Sequence, residues 1–163
     1  FIMNKLLSLV PALSIVFVVG CATQPVVPVQ PLETSRVLPY SKDKVWASTV
    51  KVISQKLPIQ VIEKDSGLIS TQTAQLPIGY NNSGYQNYFY QPNVFLATWG
   101  GANVRLNVIV NPESASSTNI KLDATYQALE TNVTKSWMAV RSNGQAENRI
   151  IDEIEQDLMK SNK

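Results

Sequence analysis

The chain contains no histidine and has a single cysteine among its 163 residues. Histidine is the side chain that most often acts as a general base at neutral pH, and it is also the commonest ligand of transition metals. One cysteine excludes a disulfide within the chain, and the paired-cysteine spacing of zinc sites is missing as well. We therefore expect no catalytic residues, no metal site and no cofactor.

Charged residues are also scarce, at 16% of the chain, with 14 basic and 12 acidic side chains. No stretch concentrates Lys or Arg, whereas a nucleic-acid-binding protein normally presents a basic face or arm. We expect no nucleic-acid partner. The 44% hydrophobic content is sufficient for a core, and the length is typical of one domain.

The acidic residues that remain as candidates for catalysis fall where solvated side chains are usual. Asp65 lies in a predicted turn, Asp123 points outward from a predicted strand, and the cluster at 152–157 lies on the polar side of a predicted helix. Ser41 and Lys44 match a Ser-x-x-Lys spacing, but Ser directly before a helix is typical of an N-cap. The sequence therefore disfavours an enzyme.

The N-terminus has the organisation of a secretory signal. After a short polar start, residues 6–20 form a run of about 15 apolar or small residues; a membrane-spanning helix needs about 20, and the shorter run is typical of a signal peptide. Val18-Val19-Gly20-Cys21 resembles a bacterial lipobox, in which the Cys is acylated. We expect a signal peptide at 1–20 and lipidation at Cys21. By resemblance to lipoprotein sorting rules, Ala22 favours the periplasmic side of the outer membrane. The alternative is an incidental Cys near an ordinary signal peptide.

Residues 21–31 join this anchor to the rest of the chain. They contain three prolines and no charged side chain. Because each Pro fixes φ and lacks a backbone donor, the segment is predicted to be an extended tether that could hold a domain roughly 30 Å from the membrane. A disordered leader is the alternative. The folded domain is expected at 32–163.

Hydrophobic periodicity predicts an α+β domain. It takes the form of an antiparallel sheet with two helices packed on one face. The order along the chain is β-α-β-β, a loop, β-β-β and α. Trp46 is expected in the core, and Gly100-Gly101 is expected to be a turn. The predicted strands are 33–38, 59–64, 68–73, 94–99, 104–110, 120–126 and, more weakly, 135–140, and the predicted helices are 42–57 and 144–160, the second opened by a capping box at 142–145.

The segment 78–93 is rich in Tyr, Asn and Gly and has no charge. Long loops of this kind are often functional, and Tyr supplies contact area at low entropic cost. One interpretation is a binding surface, and the other is that the aromatic side chains pack over the sheet edge. Trp99 and Trp137 could equally lie in the core or form the floor of a groove. The candidate binding residues are Tyr80, Tyr85, Tyr88, Phe89, Tyr90 and Trp99.

Two stretches resemble the helix-grip modules of BamC-like outer-membrane lipoproteins. In 39–73, Asp43 and Val45-Trp46 open the first helix, and the hairpin motif Asp-x-Gly-x-Ile-x-Thr begins at Asp65. In 137–158, the closing-helix motif Ser-x-Gly-x-x-Glu begins at Ser142. The resemblance implies a helix-grip-like domain of order β-α-β-β-β-β-α. It would be tethered under the outer membrane and act as a protein-interaction module. BamC has two such modules, whereas this chain has room for one.

Together these observations predict a non-enzymatic outer-membrane lipoprotein that binds a protein partner in cell-envelope assembly or maintenance. The alternative is a lipoprotein that binds a small molecule or glycan, since a sheet and a long helix can enclose a ligand. A cavity of a few hundred Å³ between sheet and helix would support that alternative, and a filled interface would argue against it.

Overall fold

A computed structural model describes residues 32–77 and 84–161 and shows the α+β fold that the periodicity predicts. The expected signal peptide, Cys21 and the tether lie outside the described residues. The strands are β1 (Ser35–Leu38), β2 (Ile59–Glu63), β3 (Leu68–Thr71), β4 (Ala74–Gln75), β5 (Trp99–Pro112), β6 (Thr118–Glu130) and β7 (Trp137–Val140), and the helices are α1 (Lys42–Lys56) and α2 (Gln145–Ser161).

All strand pairs in the sheet are antiparallel. The order is β1-β6-β5-β3-β2, with β4 also paired to β5 and β7 also paired to β6. The long β5–β6 hairpin is the centre of the sheet and runs from the Pro112–Thr118 pair to the Trp99–Glu130 pair. Each of its strands therefore has two shorter neighbours, placed one after the other along its length.

Both helices pack on one face of the sheet, as expected. Alternate residues of β5 and β6 point towards the helices, and the predicted stripes of α1 and α2 meet them, with Trp46 buried. Neither helix in the described ranges is both long enough and apolar enough to cross a bilayer. The buried side chains of this main core are Leu38, Val45, Trp46, Val52, Ile53, Ile69, Leu106, Val108, Val110, Ile120, Leu122, Ile151, Ile154 and Leu158.

Two predictions about residues 94–101 are wrong. Only Trp99 of the expected strand 94–99 belongs to a strand, and Gly100-Gly101 lies inside β5 rather than in a turn. The pairing register shifts between Trp99 and Gly101, and a Cβ on Gly100 would lie 2.6 Å from Thr131 Cγ2. Glycine is thus needed for the close approach at a β-bulge, which a sequence pattern does not distinguish from a turn.

The starts of the helices differ in detail from the expected caps. Ser41 occupies the N-cap of α1, but its hydroxyl makes no capping hydrogen bond. At α2, the Gln145 N–H donates to Asn143 Oδ1 at 3.0 Å, and the Ser142 hydroxyl donates to Glu147. The expected reciprocal pair of Ser142 with Gln145 is therefore wrong, because Gln145 is exposed and Glu147 takes its place.

Candidate functional site

Residues 84–93 of the Tyr-rich segment contribute to a second core over one end of the β5–β6 hairpin. Tyr85, Phe89 and Trp99 are only 2%, 1% and 5% exposed. The Phe89 ring lies 5.1 Å from the Tyr85 ring and 5.6 Å from the Tyr126 ring, measured between centroids. The proposal that these three residues form a binding surface is corrected: their side chains are buried, in agreement with the alternative that they pack over the sheet.

The remaining aromatic candidates are distributed differently. Tyr88 and Tyr90 are half-buried, and Trp137 is 44% exposed. The Tyr88 ring lies 6.2 Å from that of Tyr126, at the border between the two cores. Tyr80 lies outside the described residues. Of the candidate surface residues that are described, only Tyr88 and Tyr90 remain partly accessible.

A groove of about 340 Å³ opens at the junction of the two cores. It forms because α1 ends at Lys56, directly before Leu57 and Pro58, whereas β5 and β6 continue beyond the helices. Small side chains at Ala74 and Ala146 leave the space unfilled. The apolar lining residues are Leu57, Leu76, Pro77, Val104, Leu106 and Ile150, and the polar ones are Lys56, Gln75, Tyr88, Tyr126, Glu147, Arg149 and Glu153.

Glu147 places a buried carboxyl group in the wall of this groove. Its side chain is 1% exposed and accepts hydrogen bonds from the hydroxyl of Ser142 and, at a long 3.4 Å, from that of Tyr126. Burial raises the pKa of Glu147, and the Ser142 hydrogen bond only partly offsets this. Burial also raises the pKa of Tyr126, and the neighbouring Glu147 adds to that shift. The wall therefore offers hydrogen-bonding groups in an apolar setting.

Charged side chains occupy the rim. Lys56 Nζ lies 2.6 Å from Glu153 Oε2, so these two charges neutralise each other. The exposed Arg149 donates only a long hydrogen bond, 3.5 Å, to the Asn87 carbonyl, and it forms no ion pair within the described ranges. The rim thus carries one guanidinium group able to receive an anion beside an apolar interior.

Glu147 and Ser142 also have a structural role at the start of α2. Glu147 and Ser142 bond to each other, and the Ser142 oxygen also accepts the Gly144 N–H at 3.0 Å, so the pair ties the exit of β7 to the start of α2. In the part of the chain that the structure describes, no group of three carboxylate or cysteine side chains is placed to hold a metal ion.

The predicted solvated face of α2 carries ion pairs. Asp152 and Glu155 contact Arg36, and Asp157 contacts Lys51 at 2.5 Å. Exposed pairs of this kind contribute roughly 0–1 kcal/mol each. They serve to hold α2 against α1 and β1, and they leave the apolar groove as the feature with the character of a binding site.

The burial of two glutamates, Glu130 and Glu147, was not predicted, although the sequence pattern indicates it. Inward positions of β6 are the even-numbered ones, and Glu130 continues that series after Ala128. Glu147 precedes the buried Ile151 by four residues and Ile154 by seven, which places it on the apolar side of α2. A charged residue at a buried position of a strand or helix requires hydrogen-bond partners. The position of each glutamate in the pattern was therefore the sign that could have identified it.

No protein-family model matches the chain, and no curated protein matches it. Eleven chains of solved structures do match. One is a DUF4468 family protein from Bacteroides ovatus ATCC 8483, whose crystal structure was determined at 1.49 Å resolution. It is 12% identical, with a TM-score of 0.33, and the match covers 78% of this chain and 81% of that chain.

Proposed function

We propose that the protein is a non-enzymatic, lipid-anchored protein of the outer membrane whose domain binds a small amphiphilic molecule in the groove between the helices and the sheet. The observation that carries this proposal is the groove of about 340 Å³, which lies within the size range of small-molecule sites. A cavity at this place favours a ligand-binding domain, whereas a filled sheet–helix interface would argue against one.

The lining determines what the ligand must offer. Leu57, Leu106 and Ile150 would cover an apolar body, since sites of this type are mostly apolar with a few placed polar groups. Arg149 at the rim suits a carboxylate or phosphate head group. A single-chain lipid or fatty acid combines these properties, and a lipid-anchored protein meets such molecules in its own membrane.

The proposal is tested with the full chain in lipid nanodiscs and a dansylated fatty acid as the probe. Ala146→Trp fills the groove and should weaken binding by about tenfold or more, while Ala47→Trp, on the exposed side of α1, should leave it unchanged. Circular dichroism confirms that each variant is folded. Equal affinity of the two folded variants would refute the groove as the site.

Arg149→Gln provides a milder second test. It removes the guanidinium group from the rim without filling the groove, so binding of the anionic probe should weaken while that of the corresponding alcohol should not. If both probes respond equally, Arg149 does not receive the head group.

A protein partner is the second candidate, and the outer face of the sheet is the observation that favours it. In the described part of the chain this face is not covered by a helix, and it forms a depression of about 410 Å³ lined by Val61, Arg105, Asn107 and Ile109, among others. A photocrosslinker at Ile109, which is 39% exposed, should capture an envelope protein in cells. The same group at exposed Met159 on α2 should not.

A further inference from the structure

One end of the sheet exposes an apolar tip formed by two neighbouring loops and the first residue of β7. Phe95 and Leu96 are 85% and 66% exposed, and Val133 and Trp137 are 56% and 44% exposed. Single exposed apolar residues are common, but these four, three of them in loops and Trp137 at the start of β7, lie at the same end of the sheet and form a patch of the kind that marks a contact surface.

The tip is held rigidly. The buried Glu130 carboxylate accepts backbone N–H groups from Thr98 and Val133, so it ties both loops to the end of β6. Asn132 Nδ2 donates to the Leu96 carbonyl at 2.8 Å. Leu96 itself has φ of 61°, which is costly for a leucine. The loops hold Phe95 and Leu96 out in water at a conformational cost, which points to a use for them.

Charge limits what the tip can contact. Residues 91–99 contain no charged side chain, and residues 131–141 contain only Lys135 and Arg141. Glu130, which lies between these two segments and bonds to both, is fully buried. Exposed Trp beside aliphatic residues and Lys, without acids, is the composition of protein surfaces at the interface of a bilayer.

The described residues before β1 lie towards the same end of β6. β1 is antiparallel to β6, and the Leu122 N–H donates to the Thr34 carbonyl, so the chain before β1 comes from the direction of Glu130. Eight residues of β6 separate Leu122 from Glu130, a distance of roughly 26 Å at 3.3 Å per residue. The eleven residues 21–31 could extend to about 34 Å as a polyproline helix, enough for Cys21 and the tip to reach one surface.

We propose that the tip inserts Phe95, Leu96 and Trp137 into the interfacial layer of the membrane that holds the lipid anchor, with Lys135 among the head groups. This rests on the anchor of the proposed function. The contact would fix the orientation of the domain on the membrane. It would thereby also fix the direction in which the groove opens.

The test uses the full chain, purified from membranes and reconstituted in vesicles of phosphatidylethanolamine and phosphatidylglycerol with brominated acyl chains. Bromine quenches only tryptophans that enter the lipid. Trp46 and Trp99 are 7% and 5% exposed, so Trp137→Phe isolates the contribution of Trp137. The fluorescence contributed by Trp137 should be about twofold weaker in brominated than in unbrominated vesicles, as expected for an interfacial tryptophan.

Variants and flotation separate the possible results. Phe95→Asp with Leu96→Asp should abolish the quenching of Trp137, while Val37→Asp with Ile62→Asp, at exposed positions on β1 and β2, should preserve it. A chain that floats with vesicles but shows no quenching of Trp137 refutes the tip and leaves the anchor intact. That result, with crosslinking of the tip to a protein in cells, would assign the patch to a protein partner. A chain that does not float refutes the anchor.

Discussion

Glu130 and Glu147 are almost completely buried, yet their surroundings shift the pKa in opposite directions. At Glu130, loss of hydration would raise the pKa, but the backbone N–H groups of Val133, Asn132, Thr134 and Thr98 donate to the carboxylate and hold its pKa well below the ordinary value. At Glu147, loss of hydration outweighs the donors, and the pKa is raised. The number of donors, rather than burial alone, decides the sign.

Glu130→Gln should remove an acid-sensitive part of the stability. Because the folded pKa lies below the ordinary 4.5, the wild-type contribution is complete above about pH 4.5 and is lost as the pH falls towards the folded pKa. The variant should unfold more easily at pH 7 and lose less stability between pH 5 and pH 3. Urea unfolding at a series of pH values measures this, with exposed Glu113→Gln as the control. Parallel curves for Glu130→Gln and wild type would contradict it.

Glu147→Gln should show the opposite dependence. A folded pKa above the ordinary 4.5 means that the native state holds the proton more tightly, so stability falls as the pH rises from about 4.5 through the raised pKa. The variant has no titrating group at position 147, so its stability should not fall in this way. Thermal unfolding between pH 4 and pH 8 tests the point. A wild-type decline that persists in the variant would have to come from another group.

Tyr85→Phe should leave the protein as stable as wild type or more stable by about 1 kcal/mol. The Tyr85 hydroxyl is buried and has no hydrogen-bond partner in the described structure, and such a group costs roughly 1–3 kcal/mol. Tyr126→Phe is the contrasting variant, because it removes a donor to Glu147 and should destabilise. Denaturant midpoints compare them. A clear destabilisation by Tyr85→Phe would reveal a partner for its hydroxyl.

At the scale of elements, periodicity predicted most of the fold. Strict alternation along β5 and β6 and the helical stripes of α1 and α2 identify these elements, since each buries one face. The short β4 and the true start of β5 could not be predicted. Residues 94–98 are apolar but form a loop, because the contacts of Thr98 and Leu96 with the turn after β6 outweigh their strand propensity.

The hairpin between β2 and β3 depends on Gly67. Its φ is 72°, and an added Cβ would overlap the Val110 carbonyl oxygen. Gly67→Ala should therefore destabilise by more than about 1 kcal/mol, the least cost of a left-handed conformation for an L-residue. Gly101→Ala is the matched control, since the nearest atom to its Cβ would be Gln75 Nε2 at 3.7 Å. Chemical denaturation of both variants checks this, and equal losses would show that the strain at Gly67 is relieved.

For the whole molecule, the candidate site arises where two cores meet, and this explains why the sequence did not predict which residues line it. Leu57 and Ala124 pack against both cores, and the groove lies between α1, β4 and α2, which are distant in the chain. A pattern within one short stretch of sequence does not indicate where separate elements meet in the fold. The Tyr-rich composition of 78–93 predicted a binding surface, but the burial of Tyr85 and Phe89 shows that some of its aromatic side chains serve packing.

In the proposed function, the position of the domain in the cell depends on lipidation of Cys21. Cys21→Ser removes the thiol that would form the proposed thioether with lipid, so the chain should keep residues 1–20 and lose its acyl mass. It should no longer reach the outer-membrane fraction. Mass spectrometry of fractionated envelopes measures all three effects, and Thr23→Ala, which retains the thiol, should behave as wild type.

One acyl chain alone binds reversibly, so a permanent anchor requires several acyl chains. Normal processing and fractionation of Cys21→Ser would show that the domain is held by other contacts, and the apolar tip would then be the first candidate for them.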